Sequence, residues 1–247
     1  MLLRQCAGFG KLVYSTRVVP LAAHAEALRE FDMAVRQCFE DFTCLRLEDT
    51  YWDQARLATK EGGLGLRRGS QHSSCGFLAS RSSCVDLCKQ LDPGHVYVLS
   101  DESSDAHHAL QTYNSSVDIA DAVLPSTSDA LPQKKLSTAV DKTRRASGLS
   151  EADAARRGHL SLLSNGDSGL WLHAPPTKAA RNIVDPVLYV TMLQRRLRAP
   201  IFDAEFHCPF CDGIMDRFAD HALTCSAGGD RSKRHNAMRN CAFSACC

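Results

Sequence analysis

Apolar side chains recur every three or four residues from Leu21 to Phe42. Leu21, Ala25, Leu28, Phe31, Val35, Cys38, Phe39 and Phe42 stack on one face of an α-helix that starts just after Pro20. A second amphipathic piece, Glu48 to Thr59, carries Trp52, Ala55 and Leu57, and Gly62-Gly63-Leu64-Gly65-Leu66 stops it. A third runs from about Ser70 to Leu91 and ends at the turn Asp92-Pro93-Gly94. The short run Val96 to Leu99 reads as a strand or the end of a loop. From Ser100 to Thr127 the composition shifts to Ser, Asp, His and Asn, the pattern of a linker or a loosely ordered insertion. Helical periodicity returns at Lys134 to Ala146 and at Ser150 to Leu163, the latter opened by an approximate capping arrangement of Ser150 and Asp153. Asn165-Gly166 and Pro175-Pro176 then break the chain before Asp185 to Leu197. That helix turns Leu188, Met192 and Leu193 inward and ends in Arg195, Arg196 and Arg198, where cations suit the helix dipole. The pattern predicts a mainly α protein: a helical region over 1–99, a polar linker over 100–130, a helical connector over 131–200 and a small module over 201–247.

The first twenty residues contain Arg4, Lys11 and Arg17, no acid, and apolar Leu2, Leu3, Leu12 and Val13, a composition similar to a mitochondrial transit peptide. Gly8 and Gly10 weaken any helix there, and the smooth run into the next helix favours an internal structural element.

Length and charge narrow the picture. With 247 residues, 44% apolar and 23% charged, the chain suffices for one large or two small domains. No stretch approaches the roughly 18 uncharged apolar residues of a spanning helix, so a membrane protein is not expected. The net charge of +1 hides an asymmetry: residues 1–130 hold 12 Lys/Arg against 17 Asp/Glu, and residues 131–247 hold 17 against 11. The C-terminal half is thus the basic half, as when one end of a chain faces nucleic acid, although a solvated basic surface has the same composition. Twelve cysteines in a chain of this length, without a hydrophobic signal segment, read as reduced thiols in an intracellular protein, nuclear or cytoplasmic, some of them holding a metal.

The sharpest chemical signal is Cys208-Pro209-Phe210-Cys211, followed after nine residues by His221 and after three more by Cys225. Two thiols two residues apart grip one ion from a tight turn, and His221 and Cys225 stand at i and i+4 on one helical face. A Cys3His set satisfies tetrahedral Zn²⁺ with no open position, so a structural zinc knuckle is expected. His207 and Cys241 do not improve the spacing. After the knuckle comes Gly228-Gly229-Asp230 and a basic helical start, in which Arg231, Lys233, Arg234 and Arg239 are placed to meet phosphate oxygens. Arg195, Arg196 and Arg198 would extend this strip, and Phe210, between the two thiols, is the better of two nearby rings for stacking on a base, Phe206 being the other.

The string Asp220-His221-Ala222-Leu223-Thr224-Cys225, with Gly228-Gly229-Asp230 and Arg234-His235-Asn236-Ala237-Met238-Arg239, resembles the zinc-knuckle region downstream of the reverse transcriptase in non-LTR retrotransposons that carry a restriction-like endonuclease. Leu2-Leu3-Arg4-Gln5-Cys6-Ala7-Gly8-Phe9 and Gly62-Gly63-Leu64-Gly65-Leu66-Arg67 with His72-Ser73-Ser74 resemble the segment after the polymerase palm in the same elements, its thumb and helical extension. The resemblance implies a thumb-like region over 1–99 and RNA or DNA as partner. It also marks what is missing. Such palms hold two Mg²⁺ ions on adjacent aspartates, and this sequence has no Asp-Asp pair. It lacks as well the Pro-Asp dipeptide and the acid two places before a lysine of restriction-like nucleases. The expectation is a non-catalytic, zinc-stabilised nucleic-acid-binding fragment. The rivals are a part of an active reverse transcriptase or endonuclease completed by another chain, a helical protein-interaction scaffold, and a decayed reading frame.

Weaker constellations carry less. The glycines at 62, 63 and 65 lack a Gly-Lys-Ser/Thr or a G-x-G-x-x-G and read as a helix-ending turn. His107-His108 reads as solvated, and Ser70 with His72 has no G-x-S-x-G elbow around it.

Overall fold

The computed structural model describes residues 2–127, 130–179, 183–229, 231–233 and 235–236. It is mainly helical, as the periodicity predicts, and the chain divides into two compact units, residues 1–184 and 185–247. None of its helices among the described residues is long and apolar enough to cross a membrane.

The first unit is built around α5 (Gly69–Ser83), against which α2 (Val13–Val18), α3 (Leu21–Thr43), α7 (Asp105–Asn114) and α8 (Gln133–Ser150) pack. A helix surrounded on several sides needs small residues where its neighbours cross, and α5 supplies Ser73, Ser74, Cys75, Gly76 and Ala79, all buried. At Gly76 the requirement is strict, because a Cβ there would stand 2.7 Å from the Thr16 hydroxyl of α2. The start of α5 is capped from a distance: the Asp32 carboxylate on α3 accepts from the Gly69 and Ser70 N–H groups at 2.6 and 3.1 Å and from the Ser70 hydroxyl at 2.7 Å. These bonds satisfy orphan donors of the first turn that no adjacent residue reaches.

The predicted α3 face is largely observed, with Leu28, Val35 and Phe39 buried. Phe39 lies 5.5 Å from Trp52 of α4 (Asp49–Arg56), whose indole also meets the Arg36 and Arg56 guanidiniums at 5.6 and 5.5 Å. The glycine-rich stop after α4 is a tight turn: a Cβ on Gly63 would lie 2.1 Å from the Leu57 carbonyl oxygen. The N-terminal segment forms the internal elements that its run into α3 suggested, α1 (Leu2–Cys6) and α2, and buries Phe9 and Thr16.

Three expectations change. The stretch 100–130 is a polar linker by composition, yet it contains α7, whose Ala109, Leu110 and Tyr113 join Phe77, Leu78, Leu99, Leu136 and Val140 in the main core. Three apolar positions on one face suffice because the rest of α7 meets solvent. Ser104 caps the helix by accepting from the His107 N–H, and the His107 imidazole pairs with the Leu99 carbonyl at 2.7 Å. The connector 131–200 is also divided: α8 and α9 (Ala154–Leu162) belong to the first unit, and the boundary falls at 184/185. The helix expected over 70–91 is interrupted at Cys84, which ends α5 and starts α6 (Val85–Leu91). Residues 96–99 form no strand, and Leu99 buries its side chain from a loop.

The second unit begins with α10 (Pro186–Leu197), capped by Asp185, whose carboxylate accepts from the Val187 and Leu188 N–H groups at 2.9 and 3.2 Å. A hairpin follows, β1 (Phe206–His207) antiparallel to β2 (Ile214–Met215), and then α11 (Asp220–Thr224).

Candidate metal centre

The hairpin register pairs Phe206 with Met215 and His207 with Ile214, which leaves residues 208–213 as the connecting loop. The Cys208 N–H donates to the Gly213 carbonyl at 2.9 Å and closes it, so both thiols of the Cys-x-x-Cys sit on one turn. Gly213 admits the imidazole: a Cβ there would be 2.6 Å from His221 Cε1 and 3.3 Å from Cys211 Sγ.

The other two donors come from α11 and its end, and two carboxylates hold that helix. Asp216 accepts from the N–H groups of Phe218, Asp220 and His221 at 2.9, 3.1 and 2.8 Å, capping the first turn. Burial works against its charge, but these three bonds keep its carboxyl below the usual range. Asp220 is clasped by Arg195 Nη1 at 2.5 Å and Arg198 Nη2 at 2.9 Å, and the Arg198 guanidinium lies 4.7 Å from the Phe218 ring centroid. Burial opposes ionisation here too, and the two arginines overcome it. The Cys225 N–H closes the helix on the His221 carbonyl at 2.7 Å.

The outcome is that Cys208, Cys211, His221 and Cys225 converge, with one donor atom of each within 4.8 Å of all the others. The Sγ atoms of Cys208 and Cys225 are 4.0 Å apart, those of Cys211 and Cys225 3.8 Å, and Cys211 Sγ is 3.3 Å from His221 Nε2. Bonds of about 2.3 Å to sulfur and 2.1 Å to nitrogen in a tetrahedron give donor separations of about 3.8 Å between sulfurs and 3.6 Å between sulfur and nitrogen. The donor set therefore fits a single four-coordinate ion. The Phe210 N–H does most to bring the Cys208 thiol down to about 7; burial opposes it, and bonding from His221 and Cys211 adds to the lowering. A thiol so placed is readily a thiolate, the form that binds metal.

The expected basic strip is only partly present. Arg196 is 4% exposed and cannot be a surface contact. Arg195 and Arg198 are both held by Asp220, which offsets one of their two positive charges and fixes both side chains within the unit. This clasp was not foreseeable from spacing, because its partners are 22 and 25 residues apart. Arg231 and Lys233 are exposed, whereas Arg234 and Arg239, like Cys241, lie outside the described residues. Phe210 is 66% exposed at the tip of the turn; Phe206 packs edge-on against Phe202 with centroids 5.0 Å apart. His207 sits in β1 and is not part of the donor cluster. Sequence reasoning missed Gly213, Asp216 and Asp220; only an aspartate just ahead of a short helix hints at the Asp216 cap.

Compared with protein families, curated proteins and solved structures, the chain matches none.

Proposed function

We propose that residues 185–247 form a structural zinc module that presents Phe210, Arg231 and Lys233 to nucleic acid, with Arg234 and Arg239 as further phosphate contacts. The chain is then a non-catalytic RNA- or DNA-binding fragment of an intracellular protein, in keeping with its resemblance to the post-palm region of a retrotransposon reverse transcriptase. The observation that carries this reading is the closed set of three thiols and one imidazole at tetrahedral separations. Soft thiolates in that geometry select zinc, and four protein donors leave no position for a substrate. The exposed ring on the metal turn supports the nucleic-acid part, since an aromatic face stacks on any base.

Metal analysis of the purified chain tests the first half, with one zinc per chain expected. Gel-shift titration at two salt concentrations tests the second. Binding should weaken with salt, vanish with a chelator, and drop in the Arg231→Ala/Lys233→Ala variant with a log–log salt slope shallower by roughly 1 to 2 units. Stoichiometric zinc with no salt-sensitive binding would instead favour the protein-interaction scaffold, and absence of zinc would overturn both halves.

A further inference from the structure

The first unit contains a cavity for which its packing gives no reason. It opens between α2, the segment before α5 and the first turn of α8, and its volume is about 510 Å³. That is the size range of small-molecule sites. Arg4, Arg17, Arg67 and Lys134 line it, and among the described residues its wall contains no Asp or Glu. Converged cations repel one another in a partly dehydrated space, so a fold that holds them together favours an anion between them.

Each cation is held by the surrounding structure. Arg17 donates through Nε and Nη2 to the Gln133 side-chain oxygen at 3.1 and 2.9 Å, a neutral partner that fixes the guanidinium beside the first residue of α8 without cancelling its charge. Arg67 is bonded by the buried Asp141, which offsets its charge, so the positive excess of the wall comes from Arg4, Arg17 and Lys134. Gly65, with φ at +76°, makes room for the Arg4 stem, since a Cβ there would stand 2.8 Å from Arg4 Cδ. Lys134 is exposed, and Ser137 in the same wall is 3% exposed. The wall also includes the first turn of α8, which has 18 residues and no acid in that turn. Its first intrahelical donor is Lys135, so the N–H groups of Gln133 and Lys134 add to the positive potential already set by the side chains.

We propose that this cavity binds a phosphate ester, with Arg17 and Lys134 as its principal contacts and Arg4 as a flanking charge. Guanidinium forks and helix-start amides match the tetrahedral oxygens of phosphate, and several cations suit a dianion better than a single carboxylate. The ester arrives on a free nucleotide or on an oligonucleotide backbone. The inference involves only the first unit and does not depend on the zinc module.

Calorimetric titration of the full chain with inorganic phosphate, adenosine, AMP and a ten-nucleotide single-stranded RNA tests it. Phosphate and AMP should bind with affinity that falls as salt rises, and adenosine should not bind. The Arg17→Gln/Lys134→Met variant should bind AMP at least tenfold more weakly. Lys134→Glu alters only an exposed side chain, so it reads the site even if the double variant folds poorly, and should weaken AMP at least fivefold. Cys211→Ser should leave AMP binding unchanged, which separates this site from the metal module. RNA that displaces AMP identifies the backbone as the source; RNA that leaves AMP bound identifies a free nucleotide. No binding of phosphate or AMP at millimolar concentration, adenosine binding as well as AMP, or wild-type affinity in Lys134→Glu would overturn the proposal.

Discussion

His72 gives the first unit a defined response to acid. Its side chain is buried on α5, with the ring 5.6 Å from Phe9, Nε2 3.6 Å from Asp141 Oδ1, and Nδ1 without a hydrogen-bond partner. Burial first, then the charges of Arg67 and Arg144, push the imidazole down to about 3. Asp141 does not reverse this, because its carboxylate is bonded to Arg67 and is itself pushed up by burial. The unfolded imidazole titrates near 6.5, so between pH 6.5 and 3 the unfolded chain binds the extra proton, and stability is lost as the pH falls. At pH 5 the unfolded ring is almost fully protonated and the folded ring is neutral. The loss there is fixed by the unfolded pKa alone and amounts to about 2 kcal/mol relative to pH 7. The assay is urea unfolding followed by tryptophan fluorescence, which reports this unit because Trp52 and Trp171 both lie in it. His72→Gln removes the titration and keeps a polar side chain. Asp141 pulls the pH dependence the other way in both proteins, so comparing them cancels its effect to first order. The wild type should lose about 2 kcal/mol more than the variant between pH 7 and pH 5. Equal losses would refute the reasoning, since they would mean that the folded protein accommodates the charged ring.

Three further outcomes follow from the geometry. Gly63→Ala places a methyl group against the Gln54 and Leu57 carbonyls, which are backbone and cannot swing away, and should cost at least about 3 kcal/mol in denaturant unfolding. Gly148→Ala, within α8 and with nothing inside 4 Å of the new Cβ, should stabilise the same unit by about 0.5 to 1 kcal/mol. Asp216→Ala removes the acceptor for three N–H groups at the start of α11, a loss of about 1 to 2 kcal/mol, and should loosen the metal about tenfold in a chelator competition.

The sequence carried the long elements well, because Leu28, Val35 and Phe39 on α3 repeat at helical spacing and only one face of that helix is buried. It carried α5 less well. There a buried helix of serines, glycines and a cysteine has little amphipathic contrast, and its small residues are explained only by the helices that cross it. Nor does composition disclose α7, whose three core residues are outnumbered by solvent-facing polar ones. At the metal centre all four donors were legible, because spacing along the chain dictates which side chains a turn and a helical face bring together. The Arg195–Asp220–Arg198 clasp was not, since it joins residues distant in sequence and turns apparent binding charge into internal structure.

That clasp has a mechanical consequence. Helix α10 is a rod of twelve residues, about 18 Å long, with its C-terminal end bolted by two guanidiniums to the residue that precedes His221. Without the bolt, tension or twist applied near Asp185 would dissipate in the irregular chain between Arg198 and Phe206. With it, the load passes directly into the helix that holds His221 beside the three thiols. Within the second unit α10 is therefore a stiff lever, and a pull on its first turn reaches the imidazole and thiols of the candidate metal site.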